Sequence, residues 1–341
     1  MKRKIAFAGF RHNHIFGLYA RVAGHSELEI CGACEEYAPA RTRVKEAHPE
    51  IDFNYDCIDA MIAGSGCDIV AVGDYYGRRG TIAIAALRQG KSVISDKPLC
   101  TSLGELEEIE RLVAAAPGKL AVGCMLDLRT GSAVAAARDF IDSGRLGKIV
   151  QIQFTGQHPL LYGSRPEWYF EAGKHGGTIN DIAIHGIDIV RRLTGSEVAR
   201  IPAARSRRAL APVDFRDSGS LMLELESGCC VLADVSYSAP DSQGYGLPSY
   251  WRFNIWGEGG MIEFNSLERC ARAYLNGESA LRLLEPPADP GPDYLDSFLN
   301  ELDGRPGELN TAEVIASSRS ALRIQQVADA EMTPSSSMSS R

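Results

Sequence analysis

A chain of 341 residues exceeds what one hydrophobic core usually organises, so two domains are expected. With 45% hydrophobic and 23% charged residues it has the composition of a soluble globular protein, and its net charge of -8 argues against a polyanionic partner such as nucleic acid. No apolar run reaches the roughly eighteen residues that a membrane helix needs, and the apolar stretch 5–9 is too short for a signal peptide, so a cytoplasmic location is expected.

Over residues 1–125, short β-branched runs alternate with longer amphipathic segments, the rhythm of βαβ units around a parallel sheet. Strands are expected at 4–9, 28–34, 69–73, 92–95 and 120–123. Helices are expected between and after them at 15–23, 38–47, 58–63, 80–89 and 102–115. Ser102 stands before an acidic first turn with Glu105 and Glu107, and Gly90 follows the helix at 80–89, sound start and stop signals. This half reads as a doubly wound dinucleotide-binding domain.

Beyond that point a helix at 132–143, a turn at Gly144 and a strand at 149–155 lead to a long helix at 178–193 that Gly195 ends. Strands then follow without intervening helices at 200–208, 218–225, 229–237, 249–256 and 261–265, with turns at Glu226-Ser227-Gly228 and Gly257-Glu258-Gly259-Gly260. An antiparallel sheet is the economical arrangement, so residues 126–330 are expected to form an α+β domain for substrate binding and oligomerisation. Helices at 294–302 and 311–328 close it, and the serine-rich tail 331–341 is expected to be disordered.

Nine cysteines include a CxxC at Cys31 and Cys34, but residues three apart on a strand face opposite ways and no second pair completes a four-ligand site. Reduced, mostly buried thiols and no bound metal are expected. More informative is Asp96-Lys97-Pro98, which ends the run at 92–95, where the carboxyl ends of parallel strands line a ligand crevice. Asp181 and His185, four apart behind Gly176-Gly177, share one helical face. The two features suggest one active site assembled from both domains.

These stretches carry a family resemblance. Ala86-Leu87-Arg88-Gln89-Gly90-Lys91, Asp96-Lys97-Pro98, Gly144-Arg145-Leu146-Gly147-Lys148-Ile149 and the segment from Gly176 through Asn180, Asp181 and His185 to Asp188 together resemble the Gfo/Idh/MocA oxidoreductases, and the likeness runs over 4–328. The resemblance implies a Rossmann domain joined to a mainly antiparallel α+β domain, and hydride transfer between NAD or NADP and a sugar, cyclitol or related polyhydroxy compound. It places Lys97, Asp181 and His185 at the catalytic positions and implies a homodimer or homotetramer. The chemistry suits the residue types. An imidazole at His185 moves the hydroxyl proton, Lys97 steadies the oxyanion and contacts the cofactor, and Asp181 holds substrate or orients the imidazole. Asp188 either orients His185 or makes a structural bond.

The chain departs from that family where GxGxxG is expected, with Gly9-Phe10-Arg11-His12-Asn13-His14 keeping only the first glycine. Arg11 could meet a phosphate, while His12 and His14 contact cofactor or substrate or cap the helix. Glu35, about twenty residues on, stands where an acid binds the adenosine ribose and disfavours a 2′-phosphate, so NAD is expected ahead of NADP. Asp74 and Tyr75 replace a proline-asparagine segment and are expected at the cofactor, and Asp127 stands where relatives carry arginine. Tyr162, Arg165 and Trp168 are expected at the substrate, with Trp168 as an alternative core anchor. A sensor that lost turnover, and an NAD-dependent non-redox lyase or glycosidase, stay open beside the dehydrogenase reading.

Overall fold

The computed structural model describes residues 2–330, so the tail expected to be disordered lies outside the described residues. The chain forms two compact units. The first comprises residues to Met125 with Pro166–Gly176 and Pro292–Ser318; the second comprises Leu126–Arg165, Gly177–Gly291 and the residues from Arg319. The polypeptide therefore returns to the first unit twice after leaving it.

In the first unit the strands are β1 (Arg3–Ala8), β2 (Leu28–Cys34), β3 (Ile69–Val72), β4 (Ser92–Ser95) and β5 (Val122–Cys124), all parallel in the order β2-β1-β3-β4-β5. Every residue of β3 and β4 is buried, as expected of a parallel sheet covered on both faces. Helices α1 (His14–Ala23), α2 (Ala38–Ala47), α3 (Ile58–Gly64), α4 (Tyr76–Arg88) and α5 (Leu103–Ala114) make the crossovers. From β1 the chain runs to β2 on one side and later to β3 on the other, so the ends of β1 and β3 flank a topological switch point, where ligands bind in such sheets. The two turns there are pressed together. Gly9 has φ +81°, and a Cβ on it would lie 2.7 Å from the Asp74 Cβ. The Arg11 N–H donates to the Gly73 carbonyl at 2.9 Å. Helix α4 starts earlier than the sequence suggests because Gly77 and Gly80, poor helix formers, are required by packing: a Cβ would meet the Gly173 carbonyl at 2.4 Å and the Glu105 carboxylate at 2.5 Å.

The second unit is built on eight strands: β6 (Ile149–Pro159), β7 (Val198–Arg207), β8 (Ser218–Leu225), β9 (Cys230–Ala239), β10 (Arg252–Gly257), β11 (Gly260–Asn265), β12 (Ala271–Leu275) and β13 (Arg282–Leu284). Their order is β13-β12-β11-β10-β6-β9-β8-β7, and every neighbouring pair is antiparallel except the central β6 and β9. Helices α6 (Ser132–Asp142) and α7 (Ile184–Thr194) pack on this sheet; a Cβ on Gly186 of α7 would lie 2.3 Å from the Phe154 ring of β6. The helix expected from 178 opens with a wide π turn, Ile179–Ala183, before α7 begins, a distortion frequent at functional sites. Helices α8 (Tyr294–Leu302) and α9 (Thr311–Ala330) complete the chain.

Candidate active site

At the switch point of the first unit the altered glycine loop is tied down by its own side chains. Glu35 is buried and accepts from the Phe10 N–H at 2.7 Å and the Tyr37 N–H at 2.9 Å. Burial raises its carboxyl, and those two N–H groups oppose the rise. The carboxylate expected at the ribose thus accepts one loop N–H on each of its two oxygens. Glu36 is engaged elsewhere, accepting from the Ile58 N–H at 2.8 Å and pairing with Arg78. The Arg11 guanidinium lies 4.4 Å over the Tyr37 ring and 5.8 Å from the Tyr75 ring centre. Asp74 is buried, accepts from the Tyr75 N–H at 2.7 Å and pairs with Arg78 at 3.1 Å.

His12 and His14 do not cap the helix. Their Nδ1 atoms stand 2.5 and 3.1 Å from the two oxygens of fully buried Asp96. Arg79, also fully buried, places Nη2 3.0 Å from Asp96, donates Nε–H to the Asp74 carbonyl at 2.8 Å and bonds the Lys97 carbonyl. Burial would raise the Asp96 carboxyl, but Arg79 and the two imidazoles outweigh it and hold it well below the usual range. Burial likewise lowers His12 to about 4 against the opposing pull of Asp96. A neutral imidazole beside an ionised carboxylate donates its Nδ1–H, which leaves the lone pair on Nε2. The three ligand atoms lie within 4.8 Å of one another, a spacing a cation could use, but Arg79 already neutralises the carboxylate. Lys97 is buried with Nζ 5.7 Å from the Tyr76 ring centre. Trp168 belongs to this unit as well: it is 1% exposed, packs on Tyr76 and Tyr169, and donates its indole N–H to the Arg11 carbonyl at 3.2 Å. Its burial fits the anchor role named beside the substrate one.

A dinucleotide suits this crevice only in part through backbone. The N–H groups of Phe10 and Arg11 are used internally, whereas those of His12, Asn13 and His14 at the start of α1 make no bond among the described residues. A phosphate over that helix end would meet these donors and the positive end of the helix dipole, with Arg11 beside them. The residues fit the group, with side chains standing where relatives use bare glycine.

In the second unit Asp181 and His185 are both buried, on successive turns as their spacing predicts. The Tyr237 phenol from β9 donates to the Asp181 carboxylate, and His185 lies 5.7 Å from the Trp251 ring. Arg165 sits 5.1 Å over Tyr237, donates to the Leu160 and Pro159 carbonyls at 3.0 and 2.9 Å, and reaches the Tyr245 hydroxyl at 3.1 Å. His158 packs among Tyr237, Tyr245, Tyr250 and Trp251. Burial, then Tyr245, Asp127 and Asp181, push the Tyr250 phenol up to about 12, which brings Asp127 into the electrostatic range of this cluster. Asp127 is itself exposed, and Tyr162 is 48% exposed. The backbone N–H groups of Ile179 and Asn180 donate to Gln325 Oε1 at 3.0 and 3.3 Å, which fixes the turn carrying Asp181. Asp188 pairs with Arg129 in a buried two-point contact at 2.8 and 2.9 Å. Sequence reasoning missed Arg79, Tyr237 and His158. Tyr237 and His158 lie on β9 and β6, and only the parallel pairing of those strands reveals them as neighbours.

The description "Oxidoreductase family, NAD-binding Rossmann fold" matches residues 4–124, and "GFO/IDH/MocA C-terminal domain" matches residues 134–263. An inositol 2-dehydrogenase 2 of Saccharopolyspora erythraea is 29% identical over 261 residues, covering 74% of this chain and 70% of the relative. An inositol 2-dehydrogenase of Rhizobium meliloti is 23% identical over 319 residues, covering 91% and 90% of the two chains. A levoglucosan dehydrogenase solved with NADH and levoglucosan shares the fold, with a TM-score of 0.78 at 19% identity, covering 97% of this chain and 98% of that one.

Proposed function

The chain belongs to the GFO/IDH/MocA oxidoreductase family, and from that premise we propose that it interconverts a secondary alcohol and a ketone on a sugar, cyclitol or related polyhydroxy compound. The observation that carries this reading is the second-unit cluster, where a buried carboxylate and imidazole on successive turns stand among Arg165, His158, Tyr245 and Tyr250. Aromatic faces and fixed polar groups suit a ring that is apolar on its faces and hydroxylated on its edge.

A bound nicotinamide supplies the hydride acceptor or donor. The other tasks fall to the protein. His185 takes the hydroxyl proton during oxidation and returns it during reduction, and the Lys97 ammonium stabilises the developing alkoxide. Asp181, held by the Tyr237 phenol, accepts a substrate hydroxyl and keeps the imidazole aligned. The Arg79–Asp96 pair fixes the backbone on which Lys97 stands, through the bond from Arg79 to the Lys97 carbonyl.

A homo-oligomer is part of the proposal. Val150, Met222, Leu232, Tyr274 and Leu283, on five strands of the eight-stranded sheet, are exposed, and a second copy would cover them. Nine free thiols suit a reducing compartment such as the cytoplasm; no helix among the described residues is long and apolar enough to cross a membrane.

The test is nicotinamide absorbance with a panel of inositols, anhydrosugars and aldoses. Turnover is expected with at least one, and Lys97→Ala and His185→Ala should each lower kcat by about 100-fold or more. Variants within a few-fold of the wild type would remove these residues from the reaction.

A further inference from the structure

We infer that residues 240–247 form a flap that closes over the bound polyol, and that Tyr245 is the side chain that covers its ring. The inference rests on the alcohol–ketone reading above and deepens it by naming a substrate-covering residue. Beneath the segment the side chains are packed: Asp181, His185, His158, Tyr237 and Trp251 are all buried. The segment itself is not, and no residue from Pro240 to Tyr250 is buried. Its backbone bonds are local. The Gln243 N–H donates to the Pro240 carbonyl at 2.9 Å, the Gly244 N–H to the Asp241 carbonyl at 3.2 Å and the Gly246 N–H to the Gln243 carbonyl at 3.1 Å. A stretch with such bonds and no buried side chain opens readily, because its movement breaks neither a sheet ladder nor a core.

Tyr245 joins this exposed strap to the buried cluster. It is 41% exposed, yet its ring meets His158 at 5.6 Å and Tyr250 at 5.1 Å, both edge-on. Gly244 and Gly246 flank it. Gly244 has φ +54°, in the left-handed region; a Cβ on it would meet nothing within 4 Å, and one on Gly246 would meet only the Gln243 carbonyl. The aromatic ring therefore stands between two residues that turn freely and that no neighbouring element packs against. Two side-chain bonds, both solvent-accessible, tie the segment to residues 160–165: Arg165 donates to the Tyr245 hydroxyl at 3.1 Å, and Asp241 accepts from the Leu161 N–H at 2.8 Å. Leu161 has φ +49°, a conformation that is costly for leucine and persists where surrounding bonds impose it. An aromatic side chain on a glycine-flanked, lightly latched loop above a buried carboxylate and imidazole can admit a polyol and then lie on its apolar face.

Steady-state kinetics and amide hydrogen exchange on the intact protein test this, using every member of the panel of inositols, anhydrosugars and aldoses that the wild type turns over. Tyr245→Ala is expected to raise KM at least about tenfold for each while kcat stays within about threefold, in line with the loss of one aromatic contact to the bound ring. Tyr245→Phe keeps the ring and loses the bond to Arg165, so it should bring KM back to within about threefold of the wild type. Amides 242–247 of the free wild type are expected to exchange within seconds and to slow at least about fivefold with NAD+ and a turned-over polyol present, a slowing that Tyr245→Ala should abolish and that a merely structural tyrosine would not produce. A KM for Tyr245→Ala within about twofold of the wild type, or slow exchange of these amides in the free protein, would overturn the flap and leave the alcohol–ketone reading standing. A kcat loss of about tenfold or more in Tyr245→Ala would place the residue in the chemistry and overturn its covering role. Turnover of no panel member would sink the alcohol–ketone reading and this inference with it.

Discussion

Burial keeps His12 neutral down to about pH 4, whereas in an unfolded chain its imidazole takes a proton near pH 6.5. As pH falls through that window the unfolded state binds a proton that the folded state refuses, so stability declines with falling pH, by about 3 kcal/mol at the limit. Asp96 stays ionised across the window because its own carboxyl titrates well below it. Between about pH 7 and about pH 4.5, His12→Asn is therefore expected to lose about 2 kcal/mol less stability than the wild type, measured by urea unfolding at each pH. Parallel pH profiles for the two proteins would show that His12 titrates normally in the fold. The residue types that make this network were visible in the sequence, and Asp96, Lys97, His12 and His14 were placed at the cofactor strand ends. Their partners were not. Arg78 and Arg79 are adjacent, yet Arg79 is fully buried on Asp96 while Arg78 is partly exposed on Glu36 and Asp74; one residue of helix rotation separates the two fates. Glu35 sits at the expected strand end, but sequence cannot say which way a carboxylate turns when backbone donors compete for it.

Helix α5 begins where its sequence announces it. Ser102 accepts from the Glu105 N–H at 3.2 Å, and the Glu105 carboxylate accepts from the Thr101 N–H at 3.1 Å and the Ser102 hydroxyl at 3.2 Å. Ser102→Ala removes an acceptor from an orphan donor of the first turn, so a loss of about 1 kcal/mol is expected in urea unfolding; no loss would mean that water or Glu105 replaces the cap completely. Strong local signals of this kind made most elements legible: β2, β4, β8, α2 and α8 occupy the expected residues. Strands β12 and β13 were missed because Ala271–Leu275 and Arg282–Leu284 are short outer strands whose order is imposed by pairing outward from β11. The π turn at Ile179–Ala183 has no sequence signature either. It accompanies tertiary bonds from Gln325, nearly 150 residues away, and a Cβ on Gly177 would lie 2.2 Å from that same side chain.

At the scale of the molecule, the path of the chain decides which pieces fold together. A sequence boundary near residue 125 is natural from the change of rhythm, but the first unit also contains Pro166–Gly176 and Pro292–Ser318. Those segments fill its core rather than decorate it. A Cβ on Gly123 of β5 would lie 2.9 Å from the Phe298 ring, the Val122 N–H donates to Thr311 Oγ1 at 2.8 Å, and Tyr169 bonds the Tyr76 hydroxyl at 2.8 Å. Phe298, Leu295, Trp168 and Tyr169 are all buried. Each such side chain contributes about 1.5–3 kcal/mol on burial, and four together rival the roughly 5–15 kcal/mol that holds a typical domain together. A fragment of residues 1–125 exposes the surfaces they cover and leaves the Val122 N–H without its acceptor. Expressed alone, it is expected to bind a hydrophobic dye, to lack near-ultraviolet ellipticity and to unfold without a sharp urea transition. A cooperative transition near that of the intact protein would show that the parallel sheet and its own helices are sufficient, and that the returning segments serve the site rather than the fold.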